Sequence, residues 1–206
     1  MSTVVSGNAK SSQSRDYSMV GEDARRAVER GLMSAEWYHT DVSRKDMKEL
    51  MKRSNAPAIR DTIIWLGLMV VFAVGAIWTW PTLWSIPFFL AYGVLYGSAT
   101  DSRWHECSHG TAFKTPWMND VVYQIACFMI IRNPVTWRWS HARHHTDTLV
   151  VGRDPEIAAP VPTNWLALIG NIFALKHVAG ELPKLLNNAL GRLGDEEKTY
   201  IPETEW

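Results

Sequence analysis

Residues 62–80 read TIIWLGLMVVFAVGAIWTW, 19 positions without a charge. As an α-helix this run is roughly 28 Å long, close to the hydrocarbon thickness of a bilayer. Pro81 follows, and residues 82–100, TLWSIPFFLAYGVLYGSAT, repeat both the length and the absence of charge. Trp78, Trp80 and Trp84 cluster at the join, where an amphipathic indole suits a membrane interface. The pair predicts an all-α integral membrane protein built on a helical hairpin, with spans over about 62–80 and 82–100. A soluble buried helix pair is the alternative, and two such runs back to back in 206 residues argue against it.

Basic residues orient the hairpin. Lys48, Lys52, Arg53 and Arg60 precede the first run and Arg103 and Lys114 follow the second, whereas the turn near Pro81 has none. Both open ends are therefore expected on the cytoplasmic side.

Upstream, Met1 to Tyr17 is serine-rich with neither a basic n-region nor an apolar h-region. This predicts a disordered tail over 1–20 and no secretory signal. Residues 21–60 read as cytoplasmic or interfacial helices. One runs over Gly21 to Met33 with Gly31 as its weak point. A second starts at Ser43, where Asp46 completes a capping spacing, and carries Met47, Leu50 and Met51 among Lys45, Lys48, Lys52 and Arg53. An interfacial helix on an anionic leaflet and a solvated helix face both fit that pattern.

Composition excludes some classes. The formal net charge is zero and the pI is about 7.1, so nothing favours nucleic acid as a partner. The mean hydropathy of −0.13 looks soluble, but the charges are concentrated in the first 60 residues, the histidine region and the tail. Cys107 and Cys127 form no CxxC and suit a reducing cytosol as small buried hydrophobes. There is neither a P-loop nor a G-x-G-x-x-G fingerprint, so redox chemistry here must import its electrons.

The chemical density lies downstream of the hairpin. His105-Glu106-Cys107-Ser108-His109 and His141-Ala142-Arg143-His144-His145 hold five of the seven histidines. On a helix, positions four apart lie about 40° apart, so His105 and His109 share a face, as do His141 and His145. His144 widens the second set to about 100°. Five imidazoles exceed the needs of one tetrahedral zinc and point to two metals or one crowded metal. Residues 101–109 continue from the second run, with Gly110 as terminator and Pro116 soon after.

Trp117 to Ile131 is apolar but short for a span, and reads as an interfacial or re-entrant segment. If it does not cross, both clusters lie on one side of the membrane. Asn133-Pro134 breaks the chain, and Trp137 to His145 forms the next helix. Gly152-Arg153-Asp154-Pro155 is a loop. Asn164 to Lys176 is an interfacial helix interrupted by Gly170 and Asn171, and Glu181 to Trp206 is polar.

The first cluster is also H-E-x-x-H, which in a zinc hydrolase would make Glu106 the general base. A second cluster of three histidines has no work in that chemistry. Lone His39 and His177 read as satisfied polar residues. Histidine-rich coordination with open positions is where O2 can be activated, and unactivated C–H bonds of a lipid chain need such an oxidant. Among the nearby carboxylates, Glu106, Asp147 and Asp154 suit the orienting of a ligand imidazole through its second nitrogen, and each taken singly reads equally as a surface carboxylate.

HECSH followed about 30 residues later by HARHH, behind a two-run hairpin, resembles the first two histidine boxes of the integral-membrane fatty acid desaturase and hydroxylase family. KELMKRSNAPAIRDT (48–62), RNPVTWRWSHARHHTDT (132–148) and GRDPEI (152–157) add to the likeness. The resemblance implies a non-haem di-iron centre ligated by His105, His109, His141, His144 and His145. That centre would use O2 and two electrons, from a ferredoxin, rubredoxin or cytochrome type of donor, to desaturate or hydroxylate a membrane lipid or fatty acyl chain. Family members have a second pair of spans and a third box, H/Q-x-x-H-H, after the second box. After His145 only His177 carries an imidazole here. Residues 61–206 are thus expected to be the N-terminal part of a desaturase domain, inactive until a third box completes the site.

Overall fold

The computed structural model describes residues 15–32, 39–98, 102–157, 161–171 and 174–206. Most of the expected tail over 1–20 lies outside the described residues. Among the described residues all regular structure is helical. Among the described residues nine α-helices run in order: α1 (Glu22–Glu29), α2 (Arg44–Leu50), α3 (Ala56–Thr79), α4 (Ser85–Gly97), α5 (Ser102–Ser108), α6 (Pro116–Met129), α7 (Pro134–Asp147), α8 (Trp165–Gly170) and α9 (Leu175–Ala189). The chain divides into two compact units, one of residues 37–138 and 174–193, the other of 1–36, 139–173 and 194–206.

The first of these units is organised on α3. Its 24 residues make it the one described helix long and apolar enough to cross a membrane. Only 11% of its most apolar window is buried, which distinguishes it from the core helix of a soluble domain. Ile63, Val70, Val71, Ile77 and Trp78 all point outward. The side that is covered packs on α4. Phe72 and Phe88 meet with ring centroids 6.4 Å apart, and buried Trp65 donates Nε1–H to the Leu95 carbonyl at 2.8 Å.

The expected second span over 82–100 is shortened to 13 helical residues in α4, about 20 Å. The turn takes up the difference. Thr82 N–H donates to Thr79 O at 2.8 Å and Ser85 N–H to Thr82 O at 3.1 Å, while Ser85 Oγ donates to Thr82 O at 2.8 Å. Residues 99 and 100 lie outside the described set.

Below this pair sits a core of Trp65, Trp104, Cys107, Phe113, Val122, Tyr123, Ala126 and Cys127, drawn from α3, α5, α6 and the loop between the last two. Trp104 and Trp137 meet edge to face with centroids 4.1 Å apart, and the Arg132 guanidinium lies 3.3 Å from the Trp137 ring centroid. α6 has 14 residues, roughly 21 Å. It buries Val122, Tyr123, Ala126 and Cys127 and leaves Trp117 and Phe128 exposed.

α2 starts as its spacing predicts, with Ser43 Oγ accepting from Asp46 N–H at 3.1 Å. α9 runs through Pro183 as far as Ala189, into the segment from Glu181 onward that reads as polar. Leu175, Leu182 and Leu186 lie exposed on one side. From another, His177 reaches the Ile130 carbonyl at 3.3 Å and Asn188 donates to Thr136 Oγ1 at 3.2 Å. Leucine at helical spacing, diluted by lysine and asparagine, hides such a helix from a search for apolar runs.

The second unit packs Met19, Ala24, Ala27 and Ile201 as its buried apolar residues. α1 ends before Gly31, whose φ of +69° is the left-handed conformation glycine tolerates. Gly152 is more constrained. Its φ is +76°, and a Cβ there would stand 2.5 Å from the backbone nitrogen of Ala24.

Candidate functional site

The first histidine cluster belongs to the unit built on α3. α5 carries His105, and His109 is its C-cap. The helix closes with a paired 6→1 and 5→2 turn, Thr111 N–H to Glu106 O and Gly110 N–H to Cys107 O, both at 3.0 Å. Gly110 at φ +64° supplies the left-handed residue this motif needs, so the expected terminator is in place. The turn holds His109 in register with His105, and their ring centroids lie 5.1 Å apart. Cys107 and Trp104 anchor the other side of α5 in the core.

The second cluster belongs to the other unit, on the C-terminal half of α7. Asn133 Oδ1 caps the start of this helix by accepting from Val135 N–H at 2.9 Å and Thr136 N–H at 3.3 Å, and Pro134 opens it. His141 and His145 bring their Nε2 atoms to 3.1 Å. That is about the separation of two nitrogens held at right angles by one metal with bonds of roughly 2.1 Å. The His144 ring lies 5.7 Å from that of His141 and 5.9 Å from that of His145.

Two of these rings are fixed from behind by carboxylates. His144 Nδ1 lies 2.9 Å from both oxygens of Asp154, whose side chain is fully buried. The same oxygens accept Leu149 N–H and Glu156 N–H at 2.8 Å each. His141 Nδ1 lies 2.9 Å from Glu156 Oε2, and Ser140 Oγ donates to the other oxygen at 3.1 Å. An ionised carboxylate only accepts, so in a neutral ring each Nδ1 carries the proton and each Nε2 presents its lone pair. Histidines that ligate metals are oriented in this way.

The carboxylates named from sequence thus separate. Asp154 takes the orienting position. Asp147 does not: its buried carboxylate accepts from Arg143 Nε at 2.6 Å and Arg153 Nε at 3.2 Å, tying the end of α7 to the following loop. Glu106 is exposed and lines a cavity of about 290 Å³ with Asp61, Arg103 and Phe113. Glu156 was missed. The available signal was its place two residues after Asp154 in a short loop behind the second cluster, which lets one turn serve two rings. His177 binds the Ile130 carbonyl, and His39 is exposed.

Cys107 and Cys127 are buried free thiols. Burial pushes the Cys107 thiol up to about 12, helped by the nearby Glu106 charge, and pushes Cys127 up to about 11. Both are therefore packing residues with little thiolate at neutral pH.

Comparison with known proteins adds an independent observation. The sequence profile described as "Fatty acid desaturase" matches residues 78–199. The omega-6 fatty acid desaturase, endoplasmic reticulum isozyme 1, of Glycine max is 31% identical over 116 residues, 55% of this chain and 24% of that protein. The Delta(12)-fatty-acid desaturase of Arabidopsis thaliana is 27% identical over 114 residues, again 55% and 24%. The Delta(12) acyl-lipid conjugase (11E,13E-forming) of Impatiens balsamina is 30% identical over 136 residues, 61% and 34%. The matches thus span about a quarter to a third of these curated relatives. No solved structure matches.

Proposed function

We propose that this chain, which belongs to the fatty acid desaturase family, uses His105, His109, His141, His144 and His145 to hold iron in an O2-dependent desaturase of lipid acyl chains. His105, His109, His141 and His145 each offer a nitrogen able to hold a metal ion. The observation that carries the reading is the pair of carboxylates behind the rings, Asp154 on His144 and Glu156 on His141. A histidine with only a structural role needs no such partner on a ring like that of His141, whose Nε2 lies 3.1 Å from Nε2 of His145. Five imidazoles support two metals over one.

Bound by these nitrogens, iron supplies the O2 activation that an unactivated C–H bond requires. The chain's own work is to aim and hold. Asp154 and Glu156 keep the protons on Nδ1 of His144 and His141, which leaves each Nε2 basic. The Arg143–Asp147–Arg153 network holds the end of α7 against the loop carrying both carboxylates. Electrons come from a ferredoxin, rubredoxin or cytochrome type of donor.

In this reading α3 crosses the bilayer, α4 folds back beside it, and the histidines face the cytoplasm with the basic residues that flank the hairpin. The exposed apolar surface of α3 supports the span, and exposed Trp78, Trp80 and Trp84 support an interface at the turn. The names of the relatives support an acyl lipid as substrate class.

The test is metal and lipid analysis on one preparation. Protein purified in detergent should contain iron, and cells expressing it within a chain that supplies the third histidine box should gain a double bond in their lipids. A His144→Ala variant should lose both. Unchanged product formation by that variant would remove the reading. A new hydroxyl in place of the double bond would move the chain to the hydroxylase branch, and zinc with dependence on Glu106 would favour a hydrolase.

A further inference from the structure

α9 meets the rest of its unit the wrong way round for a helix in water. Leu175, Leu182, Leu186 and the C-cap Leu190 are each between 49% and 70% exposed. At roughly 100° per residue they fall within an arc of about 80°. His177 and Asn188 lie on the opposite side of the helix, about 180° round, and these polar residues hold the protein. His177 Nε2 stands 3.3 Å from the Ile130 carbonyl, and Asn188 Nδ2–H donates to Thr136 Oγ1 at 3.2 Å. A helix on the surface of a soluble domain turns its leucines to the core and its polar arc to solvent. α9 does the reverse.

Its contacts also fix where the leucine face lies. Tyr96, on the last turn of α4, donates its hydroxyl to the Met129 carbonyl at 2.5 Å, one residue before the carbonyl that His177 meets. The start of α9 is therefore at the open end of the α3–α4 hairpin. Phe128, 85% exposed, stands at the same end of α6. Lys176 and Lys184 are exposed outside the leucine arc. That division of apolar and basic residues suits a helix lying in a membrane interface.

We propose that α9 lies flat in the leaflet at the open end of the hairpin, with Leu175, Leu182, Leu186 and Leu190 among the acyl chains. The inference rests on the reading that α3 crosses the bilayer, and not on the metal. The leaflet is the occupant because α9 adjoins the mouth of a hairpin whose own apolar surface already meets acyl chains in that reading. Leucines presented there leave water without needing a protein partner. α9 is tied at one end to Ile130, where α6 has just closed, and at the other to Thr136 in the first turn of α7. Its seat in the leaflet therefore sets the depth of the link between those two helices.

Nitroxide labels on Leu182→Cys, Leu186→Cys and Lys184→Cys test this in the chain reconstituted into vesicles of phosphatidylcholine and phosphatidylglycerol, with a label on Val71→Cys marking the span. The parent chain, whose cysteines are buried, supplies the blank. O2 concentrates in hydrocarbon, whereas a nickel chelate stays in water. Labels at both leucine positions should be relaxed by O2 and lose the nickel response, and the label on Lys184→Cys should keep it. A nickel response at both leucine positions beside a nickel-silent label on Val71→Cys overturns the inference and leaves the span standing. A nickel response on Val71→Cys as well removes the span and the inference together. A label on Leu186→Cys shielded from both O2 and nickel overturns the inference in favour of a protein neighbour, a second copy or another protein segment.

Discussion

Nδ1 of His144 sits 2.9 Å from both oxygens of Asp154, and those oxygens also take the backbone N–H groups of Leu149 and Glu156. One buried carboxylate therefore sets a ring's tautomer and the shape of the loop behind it. Replacing Asp154 by Asn keeps the volume but weakens the acceptor facing Nδ1. Iron affinity should fall about 10–100-fold, measured by competition with a chelator. The far-UV circular dichroism should stay unchanged.

Glu156 offers a milder version of the same experiment. Its carboxylate is partly exposed and meets His141 Nδ1 at 2.9 Å. Glu156→Gln should lower iron affinity by the smaller end of that range, roughly tenfold. Equal iron affinity in Glu156→Gln and the parent chain would show that His141 is oriented by its helix alone.

These two carboxylates also mark where sequence reasoning stops. Both i,i+4 histidine pairs, the Ser43 cap and the Gly110 terminator were legible because each is a local pattern within five residues. Asp154 was legible as a nearby acid. Glu156 was not separable from surface acids, because its role depends on Leu149 adopting φ +61° and Gly152 φ +76°, a turn that composition does not announce. Asp147 had the same surface signature as Asp154 and went to two arginines instead. The helical extent of α4 was overestimated because uncharged turn residues, Thr82 to Trp84, look like span residues until their hydrogen bonds are seen.

The cysteines give a pH prediction. Only the thiolate reacts with an alkylating agent. With Cys107 held up to about 12, its ionised fraction at pH 8 falls from about 1 in 10 to about 1 in 10,000. Neither thiol should react with iodoacetamide at pH 8 in the folded protein, and both should react in denaturant. The neutral thiol is favoured by folding, so stability is intact below about pH 9 and declines as pH rises toward 11 and 12. Mass spectrometry of alkylated peptides and a pH series of thermal unfolding check the two halves.

Val71 tests the membrane assignment of α3. It is 60% exposed near the middle of the helix, so a lysine there meets no protein neighbour that a valine did not. In water Val71→Lys would be nearly neutral. In a bilayer it costs about 2.5–3.5 kcal/mol of insertion free energy. Carbonate extraction of membranes from expressing cells should shift the variant toward the soluble fraction, and a tagged chain extracted equally with and without the lysine would remove the span.

Gly152 separates loop shape from carboxylate chemistry. An alanine would be doubly opposed there, by φ +76° and by a Cβ 2.5 Å from the Ala24 backbone nitrogen. Backbone atoms cannot rotate aside as a side chain can, so either α1 or the loop must move. The loop is the weaker party, since Asp154 N–H and Arg153 N–H both hang on the Val150 carbonyl at 2.9 Å. Its movement would carry Asp154 away from His144. Gly152→Ala should therefore lose roughly 2 kcal/mol or more of stability and iron affinity together, whereas Asp154→Asn should lose iron affinity with a smaller change in thermal unfolding. Measuring both quantities on both variants decides the point. If Gly152→Ala unfolds early yet binds iron as the parent does, the loop does not position Asp154, and the ring of His144 is held in place by α7 itself.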